Sequence, residues 1–235
     1  MTRLLKALGI AMSAIAVFAV MASAAQAETG ALTATEYPAI VTGQQGPGGT
    51  FDIGARNVEC ATSDLNGTLV GPTDPVTLKP IYANCISQPG ALPVTITPNG
   101  CDYLFGVSKP GTTGVESATT GRLQAWLNCP PGQQLEIHIY ENVNKHAANV
   151  STCTYDVPSQ GPVPAGIYHN VAGGPGDVLA TVNATFNALS TIGPPAFCGA
   201  NAFEPIPVQL TGNYTLKGFQ DFGGMEGMQI PIWVD

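Results

Sequence analysis

Charge is the first thing this chain lacks. Aspartate, glutamate, lysine and arginine make up 10% of its 235 residues, against a usual quarter. What charge there is leans acidic, with a formal net charge of −8. That balance argues against a basic groove for nucleic acid and against a polybasic patch for a membrane surface. Motifs that carry chemistry are also missing. The sequence has no C-x-x-C, no H-E-x-x-H or H-x-H and no G-x-S-x-G. It therefore lacks the local signatures of a zinc site, a redox dithiol and a serine-hydrolase elbow. No D-x-D-x-D run offers calcium a cluster of oxygen ligands. Asp221 and Glu226 flank only a glycine-methionine turn, and Met225 and Met228 have no nearby histidine to make a copper site.

Apolar residues, by contrast, are plentiful at 44%. That excludes a disordered chain and allows a sizeable core. The 28 glycines and 20 prolines mark many turns. Residues 1–27 read as an export signal. Arg3 and Lys6 give a positive start, Ala7 to Ala22 an apolar stretch, and Ala25-Gln26-Ala27 an A-x-A cleavage pattern. Cleavage after Ala27 makes Glu28 the first mature residue and moves the net charge to about −10. No second apolar run of spanning length follows. The expected product is secreted, with no membrane span in the mature chain.

Six cysteines follow the signal: Cys60, Cys85, Cys101, Cys129, Cys153 and Cys198. An even number in an exported chain points to disulfides. Nearest-neighbour pairing is expected: 60 with 85, 101 with 129, 153 with 198. Each such pair brackets one or two strand-like runs, and antiparallel neighbours bring their ends close together.

Period-2 alternation dominates the mature sequence. Cys101, Tyr103, Phe105 and Val107 share one face, as do Leu123, Ala125, Leu127 and Cys129. Leu135, Ile137 and Ile139 follow, then Cys153, Tyr155 and Val157, and finally Met228, Ile230, Ile232 and Val234. Such runs are half-buried strands. Their recurrence between Gly, Pro, Asn and Ser clusters predicts an all-β antiparallel sandwich or barrel tied by disulfides. Val178 to Leu189 fits helical spacing too, but its Val, Thr and Asn content favours a long strand. Pro38, Pro80 and Pro231 should mark edges or bends, since proline donates nothing to a ladder. The polar stretch Ser108 to Gly121 is either a hairpin tip or a boundary between two β-rich lobes, 28–120 and 121–235.

Several phrases carry a resemblance. They are Tyr37-Pro38-Ala39-Ile40-Val41-Thr42-Gly43-Gln44, Val58-Glu59-Cys60, Asn99-Gly100-Cys101-Asp102-Tyr103-Leu104-Phe105, Cys129-Pro130-Pro131-Gly132-Gln133 and Cys153-Thr154-Tyr155-Asp156-Val157-Pro158-Ser159-Gln160. Together they resemble a group of exported proteins of high-GC Gram-positive bacteria to which no activity is attached. The resemblance implies secretion and a β-rich, disulfide-linked build, and it transfers no site residue.

The search for chemistry then turns to single residues. His138, His146 and His169 read as surface histidines, and no acid pair stands out as the two facing carboxylates that glycoside cleavage needs. The N-x-S/T sequences at Asn66, Asn149, Asn183 and Asn213 read as chance in a surface rich in Thr and Asn. Aromatics give the sharper signal. Alternation turns Trp126, Tyr140 and Trp233 away from the core, and an outward tryptophan can stack on a sugar ring. The three are the candidate ligand-binding residues. The expected function is a non-enzymatic, exported binding or structural module that takes a glycan or another cell-envelope component and needs no cofactor. A secreted hydrolase with carboxylates on distant loops is the alternative. A protease inhibitor presenting Pro158 to Pro164 is a third.

Overall fold

The computed structural model describes residues 29–46, 49–111, 119–140, 153–171, 176–192, 198, 205–221, 223 and 226–235. The export signal, the segment 112–118, His146, Asn149 and Met225 lie outside the described residues.

The protein is all-β and antiparallel, as the alternation predicts. Its strands are β1 (Leu32–Ala34), β2 (Ala39–Gln45), β3 (Thr50–Ile53), β4 (Arg56–Leu69), β5 (Val76–Gln88), β6 (Leu92–Thr97), β7 (Asp102–Val107), β8 (Thr120–Asn128), β9 (Leu135–Ile139), β10 (Cys153–Val157), β11 (Gln160–Asn170), β12 (Val178–Ile192), β13 (Pro205–Asp221), β14 (Glu226–Ile230) and β15 (Ile232–Val234). The ambiguous run Val178 to Leu189 is strand throughout, paired residue by residue with β13.

The pairings reduce to a simple path. β2 and β3 lie end to end between β13 and β4. β4 pairs with β5. β5 runs along both β6 and β7, which pair in turn with β9 and β8. β10 and β11 pair with β9 and β8 on one side and with β12 on the other. β12 then returns to β13. Eight courses thus follow one another in chain order (β2–β3, β4, β5, β6–β7, β8–β9, β10–β11, β12, β13), and the last pairs with the first. The two faces expected of a sandwich are opposite walls of one sheet closed on itself, which leaves no free edge among these courses. Pro80 sits in β5 over residues 79–84, where β5 has neither β6 nor β7 beside it. A residue without an N–H donor is tolerated in such a gap. β7 and β8, which flank residues 108–119, pair with each other from Asp102–Asn128 to Val107–Leu123.

Inward positions fill the interior. Tyr103 stacks on Phe186 with ring centroids 6.1 Å apart, and Phe51 meets Tyr82 edge-on at 5.3 Å. Outward positions on β12 are Leu179, Thr181, Asn183, Thr185, Asn187 and Leu189, with the alternate residues Val178 to Ala188 buried. Four of these six outward positions are polar, and the inward ones are all apolar. Of the face predicted for the chain's last run, Ile230, Ile232 and Val234 are buried, whereas Met228 is 72% exposed.

A second sheet, β1 with β15, closes one mouth. Leu32, Ala34, Ile232 and Val234 are buried there. Gly218 in the wall leaves room for Ile232, since a Cβ at Gly218 would come 2.4 Å from the Ile232 methyl. Asn170 holds the cap through both backbone groups of one residue: its Nδ2 donates to Val234 O, and its Oδ1 accepts from Val234 N. Beneath the cap is a cavity of about 20 Å³ lined only by apolar and aromatic side chains. That is space for about one water-sized sphere.

Three disulfides tie the walls, in the nearest-neighbour order expected: Cys60–Cys85, Cys101–Cys129 and Cys153–Cys198.

Candidate functional site

The outer wall is concave where β13, β2 and β4 run side by side. Cross-strand register sets out the grid. Thr42 on β2 lies between Asn66 on β4 and Lys217 on β13. Ile40 likewise lies between Thr68 and Phe219, and Gln44 faces Thr215. These positions point outward, yet Thr42, Asp64, Asn66, Lys217 and Phe219 are only half exposed. Gly43 is in the floor of the hollow. Its inward side is taken by Leu216 and Leu65, whose side chains stand 2.7 and 3.1 Å from where a Cβ would be. Without a side chain of its own, β2 settles against these two leucines and the exterior dips.

The hollow has a volume of about 290 Å³ and is lined by Thr42, Gly43, Gln44, Asp64, Asn66, Lys217 and Phe219. It offers donors (Lys217, Asn66, Gln44), acceptors (Asp64, Asn66, Gln44), one hydroxyl (Thr42) and one aromatic ring. Among the described residues, the side chains of Thr42, Gln44, Asn66 and Lys217 form no hydrogen bond or ion pair within the chain. Polar groups with unused hydrogen-bonding capacity, three of them half buried, suit an incoming polar ligand or ordered water.

The opposite wall carries Trp126. On β8 the outward residues include Arg122, Gln124, Trp126 and Asn128, the last three facing Gly106, Leu104 and Asp102 on β7. The six-membered ring of the indole rests over Gly106, where a Cβ would come 3.0 Å from Cη2 and Cζ3. On β11, Gly161 clears the other side, since a Cβ there would stand 2.9 Å from Cδ1 of the indole. The Asp74 carboxylate borders the same spot, 3.5 Å from the Cβ position of Gly106, and its Oδ1 accepts a 3.0 Å hydrogen bond from Val107 N. Desolvation raises the Asp74 pKa above the ordinary carboxylate value, partly offset by that hydrogen bond.

The three aromatic residues expected to bind ligand sit on three different elements, each half buried. Trp126 is in β8 of the wall, and Trp233 is in β15 of the cap, paired with Thr33. Tyr140 follows β9, its N–H donating to Pro93 O.

His138 is also placed. Its Nε2 lies 3.1 Å from Glu136 Oε2 and its Nδ1 3.3 Å from Thr154 Oγ1. A carboxylate, an imidazole and a hydroxyl in line have the order of a hydrolase relay. Thr154 is only 5% exposed, however, so this hydroxyl is closed to a substrate. His169 Nδ1 bonds Thr119 and Thr120 on the surface. The segment proposed as an inhibitor loop does not protrude. Gln160 to Asn170 is wall, paired with β8, and the Gln160 amide grips the backbone of Asn187 at 2.8 and 2.7 Å.

Sequence reasoning misses the hollow because its residues come from positions 42–44, 64–66 and 217–219, which only the closure of the sheet brings together. Alternation marks each as outward, and nothing local joins them. Comparison with protein-family models, with curated proteins and with solved structures finds no match to this chain.

Proposed function

We propose that this protein is a secreted, non-enzymatic module that binds a glycan of the cell envelope or its surroundings, with the hollow on β13, β2 and β4 as its site. The hollow carries the reading, because its uncommitted polar groups surround the Phe219 ring. A pyranose presents apolar C–H faces to an aromatic ring and hydroxyls at its rim. The amides of Gln44 and Asn66, the Thr42 hydroxyl, the Asp64 carboxylate and the Lys217 ammonium suit that rim. The volume is close to the lower end for small-ligand sites, about 300 Å³, which fits a short stretch of sugar. Export is supported by the N-terminal signal pattern, by the resemblance to exported proteins and by three disulfides, which persist in oxidising compartments.

The test is retention of the purified protein on insoluble neutral polysaccharides (chitin, cellulose, xylan) and on a glycan array. Phe219→Ala and Asn66→Ala should each weaken retention at least about tenfold, the equivalent of about 1.4 kcal/mol, with the circular dichroism unchanged. Retention on none of the polymers, or equal retention of both variants, would sink the reading. Release of reducing ends from the bound polymer would make the protein a hydrolase instead.

A further inference from the structure

We infer that the strip around Trp126 is a second saccharide site and that the molecule bridges two polymer chains. The inference rests on the reading of the hollow as a glycan site and adds a second site on the opposite wall. β8 is four courses from β2 whichever way one counts round the eight. A ligand in the hollow and a ligand on Trp126 therefore lie back to back, with the packed interior between them.

The strip repeats the chemistry of the hollow in an open form. An indole replaces the phenyl ring. Gln124 and Asn128 flank it along β8, with Asp102 opposite Asn128. Among the described residues the side chains of Gln124, Asn128 and Asp102 form no hydrogen bond within the chain. Asp74 uses Oδ1 on Val107 N and has its second oxygen to offer. Covering Gly106 accounts for one side of the indole, an aromatic side chain shielding a glycine in a sheet. The residue nonetheless stays half exposed. The Asp74 carboxylate beside the ring and Asp102 at the Asn128 end of the strip favour a polyol, whose hydroxyls donate to them, over an anionic chain. An open strip with no end wall accepts the middle of a chain as readily as its tip.

Two sites on opposite walls of a rigid body cannot engage one straight polymer strand together, so they join two strands. The experiment uses the purified protein with soluble neutral polysaccharides (glycol chitin, hydroxyethyl cellulose) in light scattering, and with their insoluble counterparts in retention assays. The wild type should raise scattering at intermediate protein-to-polymer ratios and lose the effect at excess protein, as a bivalent linker does. Trp126→Leu, which keeps an apolar cover over Gly106, should abolish the scattering rise and weaken retention at least tenfold without eliminating it. Phe219→Ala should do the same, and the double variant should lose retention. A third measurement removes dependence on the Trp126 variant. In a Trp233→Phe, Phe219→Ala protein only Trp126 fluoresces among two tryptophans, and its emission should change saturably with a soluble oligosaccharide of the retained polymer. Scattering by Trp126→Leu equal to wild type, or complete loss of retention in Phe219→Ala alone, overturns the inference and leaves the hollow as a single site. No retention of the wild type on any polymer removes the glycan reading itself.

Discussion

Tyr82, Tyr103, Tyr155 and Tyr214 take their hydroxyls into a space that a wholly apolar core would fill with methyl groups. Tyr82 donates to Tyr103 at 3.0 Å, Tyr214 and Ser63 share a 3.1 Å hydrogen bond, and Tyr155 donates to Cys198 O at 2.6 Å. Tyr82 is half buried as a residue, but its hydroxyl end lies inside beside Tyr103. Burial pushes all four phenols above their ordinary value of 10.0, Tyr155 to about 12. The sign for stability follows. Below pH 10.0 the phenols are protonated in the folded and the unfolded chain alike, and the packing they provide is fully present. Above it the unfolded chain ionises while the folded chain does not, so stability is lost as pH rises toward the folded values. Phenolate absorbance should therefore appear for these four only together with the loss of near-ultraviolet circular dichroism. Smooth ionisation of every tyrosine in a protein that stays folded would contradict their placement. The inward direction of Tyr103 and Tyr155 was legible from alternation alone. Their hydroxyl partners were not, because Tyr82 and Cys198 lie 21 and 43 residues away.

At the scale of elements, periodicity did most of what it could. It marked the buried faces of β7, β8, β9 and β10 residue by residue, and residue preference made β12 a strand. It failed where a strand turns to serve two purposes. In the last run, β14 belongs to the wall and β15 to the cap, and the inward series resumes only at Ile230. Thr154 alternates outward as its neighbours do and is nonetheless buried, alongside His138. The cap itself was not legible, because the pairing of β1 with β15 joins residues about 200 positions apart. Asn170 gives a direct test of how it is held. Asn170→Ala removes both hydrogen bonds to Val234, each worth about 1 kcal/mol net. The backbone bonds of Leu32 with Thr73 and of Ala31 with Asp235 stay in place. Amide exchange in β15 should accelerate roughly tenfold or more, while exchange in β12 and β13 stays unchanged. Equal acceleration in the wall would mean that cap and wall open as one unit. No acceleration in β15 would mean that packing of Ile232 and Val234 alone holds the cap.

Over the whole molecule, the order of the cysteines and the order of the strands express the same topology. In a meander each course lies beside the next, which brings Cys60 on β4 next to Cys85 on β5 and Cys101 next to Cys129. Cys198, between β12 and β13, joins Cys153 on β10, the strand beside β12. The nearest-neighbour pairing was legible for that reason, whereas closure of the first course on the last was not, since no cysteine marks that seam. The bridges also fall at particular places. Cys60 and Cys85 face each other on paired strands, and Cys101 and Cys129 sit where β6 gives way to β7 and β8 to β9. At those breaks the ladder is interrupted, so covalent cross-linking replaces hydrogen bonds that are absent. Replacing both Cys101 and Cys129 by alanine frees a loop with a sequence separation of 28. In the loop-entropy account this costs about 3.5 kcal/mol, through the unfolded chain. For a chain of this size that lowers the melting temperature by about 7–14 °C. If the entropy account holds, the urea midpoint should fall with little change in cooperativity, since most of the ladder survives. A loss well under about 1 kcal/mol would show that the unfolded chain keeps β7 and β8 together without the bridge. A broadened two-step transition would show that the break between β6 and β7 divides the wall into halves that unfold separately once the sulfur bridge is gone.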